Sequence, residues 1–290
     1  MKSKHPGPLG VAAVVKASKD PSFTPRPSIW DEFSIPDRVA IVTGGNRNIG
    51  LEMALVLSEI GARAVYCIDL PGQPSDEFKL TKDYVAKFGG RLEYVSADVT
   101  NQVEIWDKIN KIGDDEGRID ACIAGAGVLG REVDCLDYSA KALEEVMSVN
   151  VNGALFTAQA AGKQMIRFGL PGSIIINASI AGTTTIKGRQ WVGYNTSKSA
   201  VLQMARSMAC ELGHLGVRVN TLSAGHIRTT LFSDVVEPDS QVFQEWAGRN
   251  PLGRLGRLDE MRGVTAWLAS DASTFCTGSD IVVSGGYTIW

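Results

Sequence analysis

What most constrains this chain is an alternation that begins at Arg38 and runs to the C-terminus. Short runs of β-branched and apolar residues are each followed by a stretch with helical spacing. The pattern predicts strands over 38–43, 64–68, 92–96, 119–124, 173–178, 217–222 and 280–283. It predicts helices over 49–60, 76–88, 102–114, 140–162, 194–212 and 258–270. Runs that are apolar throughout, rather than at every second residue, belong to strands buried on both faces. The helices between them must then cover a parallel sheet from both sides. The expectation is a single doubly wound α/β domain over 34–290, with a seven-stranded parallel sheet flanked by helices on both faces.

Two segments stand outside this rhythm. Residues 1–33 carry Pro6, Pro8, Pro21, Pro25 and Pro27 and no acidic residue before Asp20. They read as an irregular N-terminal arm on a cytoplasmic protein. The apolar patch from Leu9 to Val15 supplies an alternative, an organelle-targeting signal. Residues 229–253 mix aromatic, acidic and proline residues and suit a mobile substrate loop over a cleft.

Bulk charge excludes several classes. With 29 basic and 32 acidic residues, a net charge of −3 and no basic run, the chain lacks a phosphate-neutralising surface for nucleic acid. No apolar run has the length of a membrane span. The five cysteines are scattered, with no CxxC and no Cys/His cluster, so neither a disulfide framework nor a metal site is expected. The expected partner is a small molecule.

The first strand runs into Thr43-Gly44-Gly45-Asn46-Arg47-Asn48-Ile49-Gly50 and then a helix. In such a turn the backbone N–H groups of Gly44, Arg47, Asn48, Ile49 and Gly50 and the helix N-terminus can face a pyrophosphate. Asp69 closes the second strand. Its carboxylate can accept both ribose hydroxyls of NAD and would repel the 2′-phosphate of NADP. Arg47 acts the other way, since a guanidinium in the turn can pair with that phosphate. The balance favours NAD over NADP. Asp98-Val99, closing the third strand, can meet the adenine, and Asp98 can equally cap the helix that follows.

Tyr194 and Lys198 are four residues apart and so project from one helix face. An ammonium beside a phenol favours phenolate and lowers its pKa, which prepares the tyrosine for proton transfer. Ser179 ends the fifth strand, and ligands bind at strand ends in such sheets. Its hydroxyl can hold a substrate oxygen.

Taken together, these residues resemble the short-chain dehydrogenase/reductase family over residues 38–290. The matching elements are the 43–50 turn, Asp98-Val99, Ala124-Gly125-Ala126-Gly127, Asn150, Ser179, Tyr194-x-x-x-Lys198 and Ser223-Ala224-Gly225 running through Ile227 to Thr229. The resemblance implies a Rossmann-like fold and a catalytic tetrad of Asn150, Ser179, Tyr194 and Lys198. Asn150 would hold a water linking Lys198 to solvent, Lys198 would also bind the nicotinamide ribose, and Thr229 would bind the carboxamide. Gly125, Gly225 and Ile227 would complete the cofactor contacts.

Within the family the chain is most similar to fungal polyol dehydrogenases, the D-arabinitol, mannitol and sorbose group. That likeness lies in framework segments such as 270–280 and 285–288. The sequence departs from the family pattern at Asn48, which stands for a glycine. Ala124 and Gly125 stand for asparagines, and Ala224 for a proline. Family geometry would bring Ser179, Trp191, Tyr194 and His226 to the substrate, leave Arg189 and Arg228 facing solvent, and make the helices over 143–165 and 194–212 an interface of a homotetramer or homodimer. The expected activity is hydride transfer between NAD(P) and a secondary alcohol or ketone, with Tyr194 as general acid/base and a polyol or sugar-like substrate. A ketone or imine reductase of secondary metabolism is the alternative. A non-catalytic cofactor-binding scaffold is a third reading, against which the complete tetrad speaks.

Overall fold

In a computed structural model of the chain, which describes residues 7–24, 28–229 and 241–290, the seven apolar runs form one all-parallel sheet. The strands are β1 Val39–Thr43, β2 Ala64–Asp69, β3 Leu92–Ser96, β4 Ala121–Ala124, β5 Gly172–Asn177, β6 Val217–Ala224 and β7 Asp280–Val283. Their order is β3-β2-β1-β4-β5-β6-β7. The order reverses between β1 and β4, and at such a switch point the loops at the strand C-termini part and leave a crevice. β1, β4 and β6 are buried along their whole length, as a doubly covered parallel strand must be.

Helices α3 Asn48–Glu59, α4 Asp76–Ala86 and α10 Arg262–Ala269 supply one apolar layer. Helices α5 Gln102–Glu116, α7 Ala154–Arg167 and α8 Val192–Leu212 supply the other. Local chemistry fixes the helix ends. The side chains of Ser75, Asn101 and Ser139 accept backbone N–H bonds at the starts of α4, α5 and α6 (Ala140–Met147). Gly117, at φ 70°, closes α5 in the left-handed conformation.

Residues 140–162 are helical throughout: α6 passes into a π-turn over Ser148–Gly153 before α7 begins. The structure corrects two expectations. The expected 258–270 helix opens as a 3-10 turn, Leu258–Met261, ahead of α10. Over its described residues the arm is not irregular, since it contains α1 Gly10–Lys19 and α2 Ile29–Phe33. Pro8 and Pro21 flank α1 rather than interrupting it, which is where proline is tolerated. Ala154, Ala158, Ala160, Ala161, Ala205 and Ala209 are buried within the single chain, against the sheet.

Of the expected substrate loop, residues 230–240 lie outside the described residues, and Gln241–Gly248 forms helix α9. Among the described residues no helix is long and apolar enough to cross a membrane, and no group of three or more potential metal ligands occurs.

Candidate active site

A cleft of about 590 Å³ opens at the C-terminal ends of the strands, within the range of small-molecule sites. The glycine turn forms one end of it. Gly44 lies at φ 71° and Asn48 at φ 52°. The asparagine thus occupies the left-handed region that glycine would take more freely. Space also excludes side chains here. A Cβ on Gly44 would sit 2.9 Å from the Ala126 Cα, one on Gly125 2.7 Å from the Thr43 carbonyl, and one on Gly50 would collide with the Gly44 carbonyl.

Helix α3 begins at this turn, and its N-cap residue Arg47 makes no side-chain capping bond. The start of α3 thus lacks the N-cap side-chain bond found at the starts of α4, α5 and α6. An uncapped N-terminus beside side-chain-free backbone fits a pyrophosphate. Asp69 lines the same end, half-buried. Its Oδ2 accepts from the Asn46 N–H at 3.2 Å and its Oδ1 from the Leu70 N–H at 2.9 Å. Further lone pairs stay open for hydroxyl donors. Arg47 is exposed at the same rim.

Asp98 and Val99 line the cleft as expected. Asp98 does not cap α5, however, since Asn101 does. Asp98 Oδ1 instead accepts from the Thr100 N–H and hydroxyl at 2.9 and 2.8 Å, closing a tight turn. Asn46 and Ser75 escaped the sequence reading. The Asn46 carbonyl accepts from the Ser75 hydroxyl and its Oδ1 from the Ser75 N–H, which ties the glycine turn to the start of α4. No local pattern announces a bond between residues so far apart.

At the centre, α8 presents Tyr194 and Lys198, and Ser179 follows β5; all three line the cleft. The Ser179 hydroxyl accepts from the Ala181 N–H at 3.1 Å and lies close enough to the Tyr194 phenol to lower its pKa. The expectation that Lys198 lowers the Tyr194 pKa is not met. Desolvation holds the phenol above its ordinary value, and the Ser179 hydroxyl pulls it partly back. The lysine ammonium donates to the Asn177 carbonyl at 2.7 Å and stands 5.8 Å from the Tyr194 ring centre. Burial pushes Lys198 itself down to about 8.

Asn150 lies in the π-turn, 1 % exposed. Its Nδ2 donates to the Val128 carbonyl and to Ser197 Oγ, both at 2.9 Å, and its Oδ1 accepts from the Val128 N–H at 2.8 Å. Ser197 Oγ in turn donates to the Tyr194 carbonyl at 2.7 Å. Both amide hydrogens are thus committed to the protein, and one Oδ1 lone pair is open. A Cβ on Gly127 would lie 3.3 Å from Asn150 Oδ1 and 3.7 Å from Lys198 Nζ, so the gap above this glycine is bordered by both groups.

The far end of the cleft carries Gly225, His226, Ile227 and Thr229 together with Trp191. His226 is 4 % exposed, stacks on Trp246 at 4.4 Å, and meets Tyr287 edge-on at 4.8 Å. Burial, aided by the nearby Arg249 and Arg189 charges, pushes its pKa down to about 4. Arg189 does not face solvent either. Its guanidinium lies 5.5 Å from the Trp191 ring and 5.0 Å from Trp246, and it pairs with Glu132 at 3.2 Å. Arg228 is exposed, as expected, 4.7 Å from the Phe243 ring. Trp246, Tyr287, Ile180, Ile186 and Leu129 were not singled out by the sequence. They come from separate segments and meet only in the fold.

Comparison with known proteins places this geometry among relatives. A family model described as enoyl-(acyl carrier protein) reductase matches residues 44–288. The chain is 34% identical over 277 residues to the short chain dehydrogenases/reductase notP′ of Aspergillus versicolor, covering 93% of this chain and 92% of that protein. It is 35% identical over 264 residues to an NADP-dependent mannitol dehydrogenase of Hypocrea jecorina, covering 90% and 96% of the two chains. Among solved structures it is similar to a short-chain type dehydrogenase/reductase from Mycobacterium marinum, at TM-score 0.83 and 36% identity, over 90% of this chain and 99% of that one.

Proposed function

The chain belongs to the short-chain dehydrogenase/reductase family, a family of nicotinamide-dependent oxidoreductases, and from that premise we propose that it interconverts a secondary alcohol and its ketone with Tyr194 as the proton-transfer residue. The observation that carries this reading is the convergence of Ser179, Tyr194 and Lys198 on one cleft with the glycine turn at its other end. The nicotinamide, when bound, supplies or accepts the hydride.

The residues of the chain do the rest. The Tyr194 hydroxyl gives its proton to the oxygen of a ketone; in the reverse direction its phenolate takes the proton from an alcohol. The Ser179 hydroxyl orients that oxygen beside the phenol. Lys198, whose pKa burial lowers to about 8, would bind ribose hydroxyls and replenish the proton. The gap above Gly127, bordered by Asn150 Oδ1 and Lys198 Nζ, suits the water that would pass this proton to solvent. Thr229 reaches the carboxamide.

For the cofactor, Asp69 supports NAD, because a half-buried carboxylate at the end of β2 disfavours a 2′-phosphate. The relative from Hypocrea jecorina, by contrast, is named NADP-dependent, and Arg47 is the residue here that would favour that form. Assembly into a homotetramer or homodimer belongs to the same reading. Its support is the exposed Val282, Ile289 and Trp290 at β7 and the C-terminus.

Tyr194→Phe tests the reading. It should lower kcat by roughly a thousandfold while the dissociation constant of the cofactor, followed by fluorescence titration, changes little. Turnover equal to that of the parent would overturn the assignment.

A further inference from the structure

We propose that the substrate is a bulky, largely apolar ketone or secondary alcohol rather than an open polyol. The proposal rests on the oxidoreductase reading above and narrows it. Apart from the two cores on the sheet faces, the chain builds a third apolar cluster that includes Ile180, Ile186, Trp191, Trp246, Leu255 and Tyr287, with Leu129 and Tyr194 packed against it. Leu129, Ile180, Ile186, Trp191 and Tyr194 also line the cleft. The phenol that handles the proton is therefore part of an apolar wall.

That wall is rigid. Trp191 meets Tyr194 edge-on at 6.4 Å and Trp246 at 6.3 Å, and His226 lies flat on Trp246. The Trp191 N–H is buried without a partner, so the indole shows carbon, not its donor, to the cleft. Among the described residues the polar side chains at this end are Ser179, Tyr194, His226 and Thr229. Ser179 and Tyr194 are taken by the reacting oxygen and Thr229 by the carboxamide, which leaves His226 as the other polar side chain at this end among the described residues. A hexitol or ketohexose would bring several hydroxyls out of water with few partners, which disfavours it. A ring or alkyl chain gains from the same surface.

The test compares kcat/KM of the full chain, by nicotinamide absorbance with NADH and NADPH, on an aryl-alkyl ketone, a bicyclic ketone and a ketohexose. The apolar ketones should exceed the sugar by at least about a hundredfold. Equal or faster turnover of the ketohexose overturns the proposal, yet leaves the hydride-transfer reading intact if Tyr194→Phe abolishes it. Turnover of none, with cofactor bound, overturns both. Ile186→Gln provides a second measurement. It should raise KM for the apolar ketone about tenfold with a much smaller change in kcat and improve the sugar; an unmoved KM for both substrates counts against the wall.

Discussion

At the glycine-turn end of the cleft, shape comes from side chains that are missing. At the opposite end it comes from side chains that are large. Gly44, Gly50 and Gly125 let the backbones of β1, α3 and β4 approach until no Cβ fits between them. Trp191, Trp246, His226 and Tyr287 instead fill the space between α8, α9 and the C-terminal segment with interlocked rings. The first construction suits a ligand met chiefly through backbone N–H groups, and it tolerates little change in the chain. The second suits a ligand recognised by shape, and its residues can be exchanged without moving a strand.

If that contrast holds, mutations at the two ends should fail differently. The largest effect is expected from Gly50→Ala, where the added methyl meets the Gly44 carbonyl and neither backbone can give way. Overpacking of this kind costs about 2–3 kcal/mol. Calorimetric titration should show the cofactor constant weakened on the order of a hundredfold. A constant within a factor of a few would mean that the turn is softer than its geometry implies.

Protonation should distinguish the ends next. The unfolded chain binds a proton on His226 below the ordinary imidazole value of 6.5, whereas the folded chain refuses it until about 4. Stability contributed by the neutral, stacked imidazole is therefore full at neutral pH and falls as pH drops through that window. His226→Phe keeps the ring contact and removes the proton. In urea melts it should resist acidification, with a gain of about 2 kcal/mol relative to the parent at pH near 5. Parallel pH profiles for the two proteins would show that another group controls acid unfolding.

The smallest effect is expected at Asp69. Asp69→Asn removes the negative charge and keeps one of the two acceptor oxygens that the Asn46 and Leu70 N–H groups use. The ratio of NADP to NAD efficiency should rise about tenfold, equivalent to about 1.4 kcal/mol. A ratio that does not move would transfer control of cofactor choice to Arg47.

The same contrast explains what could be read from the sequence. β1 and β5, both buried almost throughout, fall within one residue of the apolar runs that announce them. A doubly buried strand leaves no freedom in composition, so its signal is local. The glycine turn, Asp69, Ser179, Tyr194 and Lys198 are legible for the same reason: each lies at a strand end or on one helix face. Most of the aromatic wall was not legible: Trp191 and His226 were read as substrate contacts and line the cleft, but Ile180, Trp246 and Tyr287 belong to separate segments and each alone looks like ordinary core. Arg189 was misplaced because nothing in a loop sequence reveals an ion pair contributed from elsewhere. The helical arm was missed because its prolines suggest disorder, although Pro8 and Pro21 border α1 without entering it.

The π-turn between α6 and α7 has a consequence for how this protein can change over generations. A π-turn holds one more residue than the α-helical path it replaces, and here that slack carries Asn150, clamped between Val128 and Ser197. Losing a single codon there would leave two good helices and an intact sheet. It would also swing the asparagine by about a quarter turn, away from both partners. Insertions and deletions that surface loops absorb freely should therefore be purged from this short stretch, even though its composition looks like that of any other helix.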